Sequence, residues 1–365
     1  MNATLKAASA GAVAATLGTM SAHAADSITV VSWGGAYTKS QVEAYHKPFT
    51  EKTGISVISE DYNGGIAEIK AQVEAGNVTW DVVDVELSDA VRACDEGLAE
   101  VIDMSILPPA PDGTPATEDF IAGTLDVECA VPTIIWSTIF AYDSENMGDK
   151  APTTIADFFD LEAFPGKRGM RRTPKANLEF ALMADGVPAD QVYEVLNTPE
   201  GVDQAFAKLD TIKSEVIWWE AGAQPPQLLA DGEVAMTTAY NGRIFNAVAA
   251  EQKPFNIVWD GQVWDMDLWI IPKGAPNKEA ALEFVKFSTD TQRLADQASW
   301  ISYGPARQSS TPLIGTFATD ESIAMGPQMP TAPENFKNAL QNDFEFWADH
   351  QDELNERFNA WLAAN

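Results

Sequence analysis

Ile28-Thr-Val-Val-Ser-Trp33-Gly-Gly-Ala-Tyr37 is the stretch from which the fold can be read. Residues 28–32 are largely β-branched, which predicts a strand. Gly34 and Gly35 break it and let the backbone come close to a neighbour. A helix is expected next, over about 38–52. In an open α/β sheet, ligands gather outside the carboxyl ends of strands. Trp33 and Tyr37, one on each side of the break, are therefore candidates for a ligand platform. The competing reading puts Trp33 in the core and makes Tyr37 the opening of a helix.

The pattern repeats downstream. Gly54 ends the first helix, 55–59 is a second strand, and Gly64-Gly65 leads into a helix over 66–74. Residues 80–85 are almost continuously apolar, like a strand covered on both faces, with Glu86 and Ser88 at its carboxyl end. A helix carrying Val91 and Cys94 completes a β-α-β-α-β-α series, so a parallel sheet is expected. A Pro-rich surface excursion over 107–117 follows. Residues 129–142 are β in composition but too long for one ordinary strand. They are read as the segment that leaves a first lobe for a second.

In the second lobe, helices are expected over 154–159, 177–184, 202–212 and 244–250, and strands over 215–218 and 233–237. Residues 263–271 are read as a strand returning to the first lobe, and 278–287 as an amphipathic helix. Trp347, Leu354, Phe358 and Trp361 recur at helical spacing, which predicts a last helix packed on the second lobe. The expected division is 25–136 with 268–312 in one lobe and 137–267 with 313–365 in the other.

The 365 residues suffice for two lobes, and 45% hydrophobic content supplies a core. The formal net charge is -31, which argues against nucleic acid and anionic membranes as partners. Acidic residues are spread along the whole chain, the mark of a solvated acidic surface, although the field also favours cationic ligands. Residues 1–24 read as an export signal: Lys6, an uncharged run over 7–20, then Ala22-His-Ala24, with a mature start at Ala25. That run is too short to span a bilayer, and no later stretch has the length. The periplasm of a two-membrane bacterium is the expected location. There, Cys94 and Cys129 are expected to pair, closing a loop of about 35 residues worth roughly 3 kcal/mol. Two buried free thiols are the alternative.

Signatures of nucleophilic, zinc-dependent or phosphate-binding enzymes are missing. His46 and His350, in polar helical settings, are expected to be solvated, so neither a His/Cys metal site nor a cofactor is implied. What the expected strand ends and loops do carry is aromatic faces and carboxylates. The aromatics are Trp33, Tyr37, Trp218, Trp219, Tyr240, Trp264, Tyr303 and Trp347; the acids are Glu86, Glu220, Asp265 and Asp267. Aromatic faces attract ammonium groups by about 0.5–2 kcal/mol each, and a carboxylate in the same pocket adds charge-assisted hydrogen bonds. At least three of these aromatics are expected in the core. Asp265 and Asp267 can share one face of a strand, whereas Trp264 and Asp267 cannot unless the strand bulges.

Taken in order, Trp33…Tyr37, Glu51-Lys-Thr-Gly-Ile55, Trp80-Asp-Val-Val, Val131-Pro-Thr, Phe164-Pro-Gly-Lys-Arg-Gly, Tyr240-Asn-Gly, Asp267-Leu-Trp-Ile-Ile-Pro-Lys and Tyr303-Gly-Pro resemble the periplasmic spermidine/putrescine-binding proteins of ABC importers. The likeness covers essentially all of the chain after the leader. It implies an α/β, type II two-lobed binding protein, each lobe a mostly parallel sheet flanked by helices, closing as a hinge. It implies that Trp33 and Tyr37 line the cleft, Tyr240 stacks on ligand, Asp267 binds an amine, Tyr303 closes one end, and Glu86 lies in a contacting loop. Trp219, Trp264 and Asp265 complete the expected ligand set. One segment departs from the family pattern. Where polyamine binders usually offer acids after the Pro-Gly turn, this chain has Arg171-Arg-Thr-Pro-Lys-Ala-Asn177.

The expected function is therefore capture of a polyamine or related small amine and delivery to a membrane permease, by a monomer and without catalysis. The basic segment opens an alternative. A zwitterionic, betaine-like or anionic solute would suit an aromatic and acidic wall facing Arg171, Lys175, Asn177 or Arg243, with Trp347 a further candidate; the competing reading points those basic side chains at solvent. An exported enzyme using Asp265 and Asp267 as acid and base is the third reading.

Overall fold

The structure is a computed structural model that describes residues 27–121, 127–148 and 150–364. The leader read over 1–24 and the start at Ala25 lie outside the described residues. Among the described residues the main sheet has ten strands, eight of them in one continuous path: β1 (Ser27–Ser32), β2 (Ser56–Asp61), β3 (Val82–Glu86), β4 (Ala130–Asp143), β5 (Arg168–Arg171), β6 (Val216–Trp219), β7 (Met236–Tyr240) and β8 (Phe255–Ile270), with Gly304–Pro305 paired to β4 and Leu340–Gln341 to β8. Their order is β2-β1-β3-β8-β4-β7-β5-β6.

The expectation of mostly parallel lobes is met only at the two ends of this sheet. β2, β1 and β3 are parallel, as are β7, β5 and β6. The middle is antiparallel, because β4 and β8 traverse the molecule in opposite directions and pair along almost their whole length. The register of that pair shifts between Pro132 and Ile134 and between Thr138 and Phe140. Proline cannot donate to a ladder, and a bulge bends the strand that carries it. The expected boundaries at 136/137 and 267/268 fall within these two crossing strands, whereas that at 312/313 lies in the short helical turn Gln308–Leu313.

Each half is packed on both faces of its sheet, as period-2 alternation requires. In the first half Val30, Phe49, Trp269 and Phe284 cluster on one side, and Val31, Ile69, Val83 and Leu268 on the other. In the second half Phe140, Met170, Leu178, Phe206 and Phe358 share one side, and Ile139, Ala141, Leu229 and Ile244 the other. The last helix, Phe344–Ala363, is capped by Asp343, whose carboxylate accepts the Phe346 N–H. Its Trp347, Leu354 and Phe358, read from their helical spacing, enter the second-half core together with Phe346. Cys94 and Cys129 form a disulfide with Cα atoms 5.9 Å apart. Among the described residues, no helix is long and apolar enough to cross a membrane.

Arg168 explains the Phe164-Pro-Gly-Lys-Arg-Gly turn. Its buried guanidinium donates to the carbonyls of Phe158, Asp160, Phe164 and Gly166, pegging the turn from inside. β7 starts at Met236, later than expected, and β8 begins at Phe255, well before the expected strand. The helix Thr291–Ala298 and the short hairpin of Thr316–Phe317 with Asp320–Ala324 were not foreseen.

His46 corrects another expectation. It is buried against the edge of Phe284, in a π-helical turn over Val42–His46 rather than in solvent. Burial lowers its pKa to about 4. An unfolded chain binds a proton at His46 below about pH 6.5, but the folded chain does so only below about 4. Stability should therefore fall as pH drops through that window, and be constant above it with respect to this group. Chemical denaturation of the wild type and of His46→Phe between pH 4 and 7 checks this. The wild-type curve should be the steeper of the two, and equal slopes would refute the assignment.

Candidate functional site

The floor of the cleft is built by alternation. Along β8, Val263, Asp265 and Asp267 turn toward the gap between the halves, and β4 adds Trp136 and Thr138. Asp267 is the direct cross-strand partner of Glu86, the last residue of β3. Like charges facing each other in an antiparallel pair are unfavourable. Burial, then the nearby Asp84 and Glu86, push the Asp267 pKa well above the carboxylate range. Burial also acts on Glu86, but Lys175 and Arg171 outweigh it and hold this carboxylate below its ordinary value. Asp265 is pushed up to about 8, by burial and by Glu86 against the opposing pull of Lys175. Glu86 is thus held toward its ionised form, whereas burial favours the protonated form of Asp267, whose carboxyl accepts the Trp136 indole N–H at 2.7 Å. Glu86 takes both neighbouring cations, leaving Asp265 and Asp267 without an ion-pair partner among the described residues.

The facing wall comes from the end of β5 and the loop that follows it, and it is basic. Lys175 Nζ donates to Glu86 Oε2 at 2.8 Å and to Ser88 Oγ at 2.6 Å. Arg171 places Nη1 3.5 Å from Glu86 Oε1 and donates through Nη2 to the Asn63 carbonyl at 3.1 Å. Asn177 holds this loop in shape by donating to the carbonyls of Arg171 and Thr173 at 2.7 and 2.6 Å. The preceding Ala176 has φ 66°, a left-handed conformation that strains a residue with a Cβ and is a feature of functional loops. From the helix Asn241–Ala249, Arg243 donates to the carbonyls of Gly34 and Trp33 at 2.5 and 3.0 Å. All three cations belong to the second half and bond acceptors of the first. The basic side chains thus face the cleft, not solvent, and the cleft is closed.

Aromatic rings line the remaining walls. Tyr240 meets Trp136 and Trp219 edge to face, at 5.0 and 5.7 Å, and Tyr37 meets Tyr303 at 5.2 Å. The Arg171 guanidinium lies 5.7 Å from both the Trp33 and Tyr240 ring centres. Two glycines make room for this packing: a Cβ on Gly64 would stand 2.2 Å from the Trp33 ring, and one on Gly242 would stand 2.6 Å from the Tyr303 ring. Within the Tyr240-Asn-Gly motif, Asn241 accepts the Ser137 N–H and donates to the Ser302 carbonyl, tying β4 to the Tyr303 loop.

The enclosed space forms two adjoining cavities that share Glu86, Trp136 and Tyr240. One is reached by Arg171, Lys175, Asn177, Trp219 and Asp265; the other by Trp33, Tyr37, Arg243, Asp267 and Tyr303. The indole N–H groups of Trp33 and Trp219, the Tyr240 hydroxyl and Asp265 Oδ2 are buried and find no hydrogen-bond partner among the described residues. Buried polar groups are nearly always satisfied, so these four atoms are open to a bound solute.

Two expected residues do not reach the cavities. Trp264 stands on the opposite face of β8 from its neighbour Asp265 and packs on Phe336 with ring centres 5.8 Å apart. Trp347 is fully buried, its indole N–H held by Glu179 at 2.8 Å. Trp218 packs on Phe358 and Trp361, and Glu220 pairs with Arg172 at the cleft rim. Conversely, sequence reading passed over Trp136, Thr138, Thr238 and Asn342, which line the first cavity; Ser88, placed at a strand's carboxyl end but given no role, holds Lys175. The available signal for Trp136 was its place midway along the crossing strand, where a side chain has to face either core or cleft.

Comparison with known proteins agrees with this geometry. Residues 44–331 match the family model of the bacterial extracellular solute-binding proteins. The chain is 46% identical over 337 residues, 92% of its length and 91% of the relative's, to a gamma-aminobutyric acid-binding protein of Pseudomonas aeruginosa. It is 26% identical over 344 residues, 92% of each chain, to the spermidine/putrescine-binding periplasmic protein of Salmonella typhimurium. Among solved structures it is similar to the PBP MotA of A. tumefaciens B6 in complex with glucopine, at 31% identity and a TM-score of 0.83, covering 92% of this chain and 99% of the other. It is also similar to the Atu4243 GABA receptor, at 34% identity and a TM-score of 0.77, covering 93% and 98%. These relatives are binding proteins, and the chain belongs to the bacterial extracellular solute-binding protein family.

Proposed function

We propose that this protein is the periplasmic receptor of an ABC importer and captures a small amino acid of the γ-aminobutyrate type, a solute with an ammonium at one end and a carboxylate at the other. The observation that carries this is the division of charge in the closed cleft. Asp265 and Asp267 stand without cationic partners on one wall, while Arg171 and Lys175 line the facing wall. An ammonium satisfies the first and a carboxylate the second. A diamine would set one of its charges against the basic wall. The mature chain is taken to start at Ala25 and to act as a monomer, its lobes dividing at 136/137, 267/268 and 312/313. Capture, closure and release to a membrane permease are its whole task, with no bond made or broken.

The test is calorimetric titration and thermal denaturation with γ-aminobutyrate, glycine betaine, glutamate, putrescine and spermidine. A bound solute at 100 times its Kd adds about 2.7 kcal/mol of stability. γ-Aminobutyrate should give that shift and the two polyamines little or none. The reverse result restores the polyamine reading.

A further inference from the structure

The C-terminal helix Phe344–Ala363 stands behind both members of the Lys175–Glu86 pair. On the second-half side, its buried Trp347 places its ring 5.8 Å from Lys175 Nζ, and Glu179 fixes the indole N–H. One turn further along, the same helix reaches across the cleft. Gln351 Nε2 donates to Asp89 Oδ1 at 3.2 Å, and Arg92 Nη2 donates to Asp352 Oδ2 at 2.8 Å. Asp89 and Arg92 lie on the helix Leu87–Asp95, which begins immediately after Glu86. The two ends of this bridge belong to different cores. Trp347, Leu354 and Phe358 are anchored in the second half, whereas Leu87, Ala90 and Ala93 pack with Val31 and Val83 of the first. The Cys94–Cys129 disulfide ties the far end of the first-half helix to the start of β4, which limits how far that helix can drift alone.

We propose that Gln351 and Asp352 are positioning residues of the binding site: they clamp the helix that follows Glu86 to the helix that backs Lys175, and so set how readily the cleft closes. The proposal rests on the reading of the cleft as a ligand site, but the clamp acts on closure whichever solute is bound. Neither residue needs to touch the solute. The Asp352 side chain is 81% exposed and that of Arg92 15%, so the ion pair is partly screened and its effect is modest. Together with the Gln351–Asp89 bond, its loss should weaken binding roughly three- to tenfold, mainly through faster dissociation.

The test compares the wild type with Gln351→Ala/Asp352→Ala, with Arg92→Asp, and with the charge swap Arg92→Asp/Asp352→Arg. Affinity and dissociation rate for γ-aminobutyrate are measured at low and high salt, beside small-angle scattering of the ligand-free protein. The double variant and Arg92→Asp should dissociate faster and scatter as a more open molecule, and the swap should restore both toward wild type. The ion-pair part of the loss should shrink at high salt. Unchanged rates and radii, or a swap no better than Arg92→Asp alone, would overturn the clamp. If the wild type fails to bind γ-aminobutyrate, the functional reading falls, while scattering still decides whether the bridge holds the halves together.

Discussion

Lys175→Met should lower solute affinity by about 10- to 100-fold and leave the melting temperature of the ligand-free protein nearly unchanged. Lys175 and Glu86 are both buried, and their 2.8 Å contact joins the two halves. Removing one partner of a buried pair costs about 3–5 kcal/mol when the other charge is left alone; here Arg171, 3.5 Å from Glu86 Oε1, offsets part of that cost. Here the protein has an escape that a core pair lacks. Opening the cleft returns Glu86 to water, so the penalty falls on closure and not on folding. Adding Glu86→Gln to the variant removes the stranded charge and should recover part of the affinity, in the manner of a double-mutant cycle. Calorimetric titration and thermal denaturation of Lys175→Met, Glu86→Gln and the double variant separate the cases. A melting temperature that falls as steeply as the affinity would show that the pair holds the fold itself.

Much of this architecture was legible because local rules and tertiary contacts agree. The β-branched run 28–32, its glycine break and the apolar run ending at Glu86 became β1 and β3, with their carboxyl ends at the cleft. The alternation rule also separated Asp265 and Asp267 from Trp264. Where reading failed, an environment set by distant residues decided. His46 lies in a polar-looking helix, yet Phe284, far along the chain, covers it. Trp347 has the same helical spacing whether it faces a ligand or a core, and only the buried Glu179 beneath it settles which. The orientation of Arg171 and Lys175 was open in the sequence because a basic loop is soluble in any position. It was fixed by Glu86, 85 and 89 positions away from these cations. Trp136 was overlooked for the same reason, since its indole N–H is needed by Asp267, which lies 131 positions away.

If the ligand-free protein rests closed, solute binding should release protons and strengthen as the medium is made more alkaline. In the closed cleft Asp265 titrates near 8, and Asp267 well above the carboxylate range, both chiefly because burial disfavours their charge. These carboxyls interact, so the cluster titrates as a unit. With the cleft open, water returns and they ionise near the ordinary value of about 4. Between about pH 4 and 8 the empty closed form therefore holds protons that the open form lacks, and acid favours it. An ammonium placed against these carboxyls supplies the positive charge in the proton's stead, so the filled closed form holds fewer protons than the empty one. Proton and solute compete for the closed form, so a ligand-free protein that rests closed gains affinity with pH by up to about tenfold per unit for each proton displaced, whereas one that rests open is already deprotonated and shows no such slope. Titrations at pH 6, 7 and 8, in buffers of different ionisation enthalpy, read both the slope and the proton count. Asp267→Asn keeps an acceptor for the Trp136 N–H but cannot ionise. It should bind far more weakly and show a flatter profile. For a ligand-free protein that rests closed, a wild-type heat of binding that is independent of buffer, with affinity constant from pH 6 to 8, would place the ammonium elsewhere than at these carboxyls.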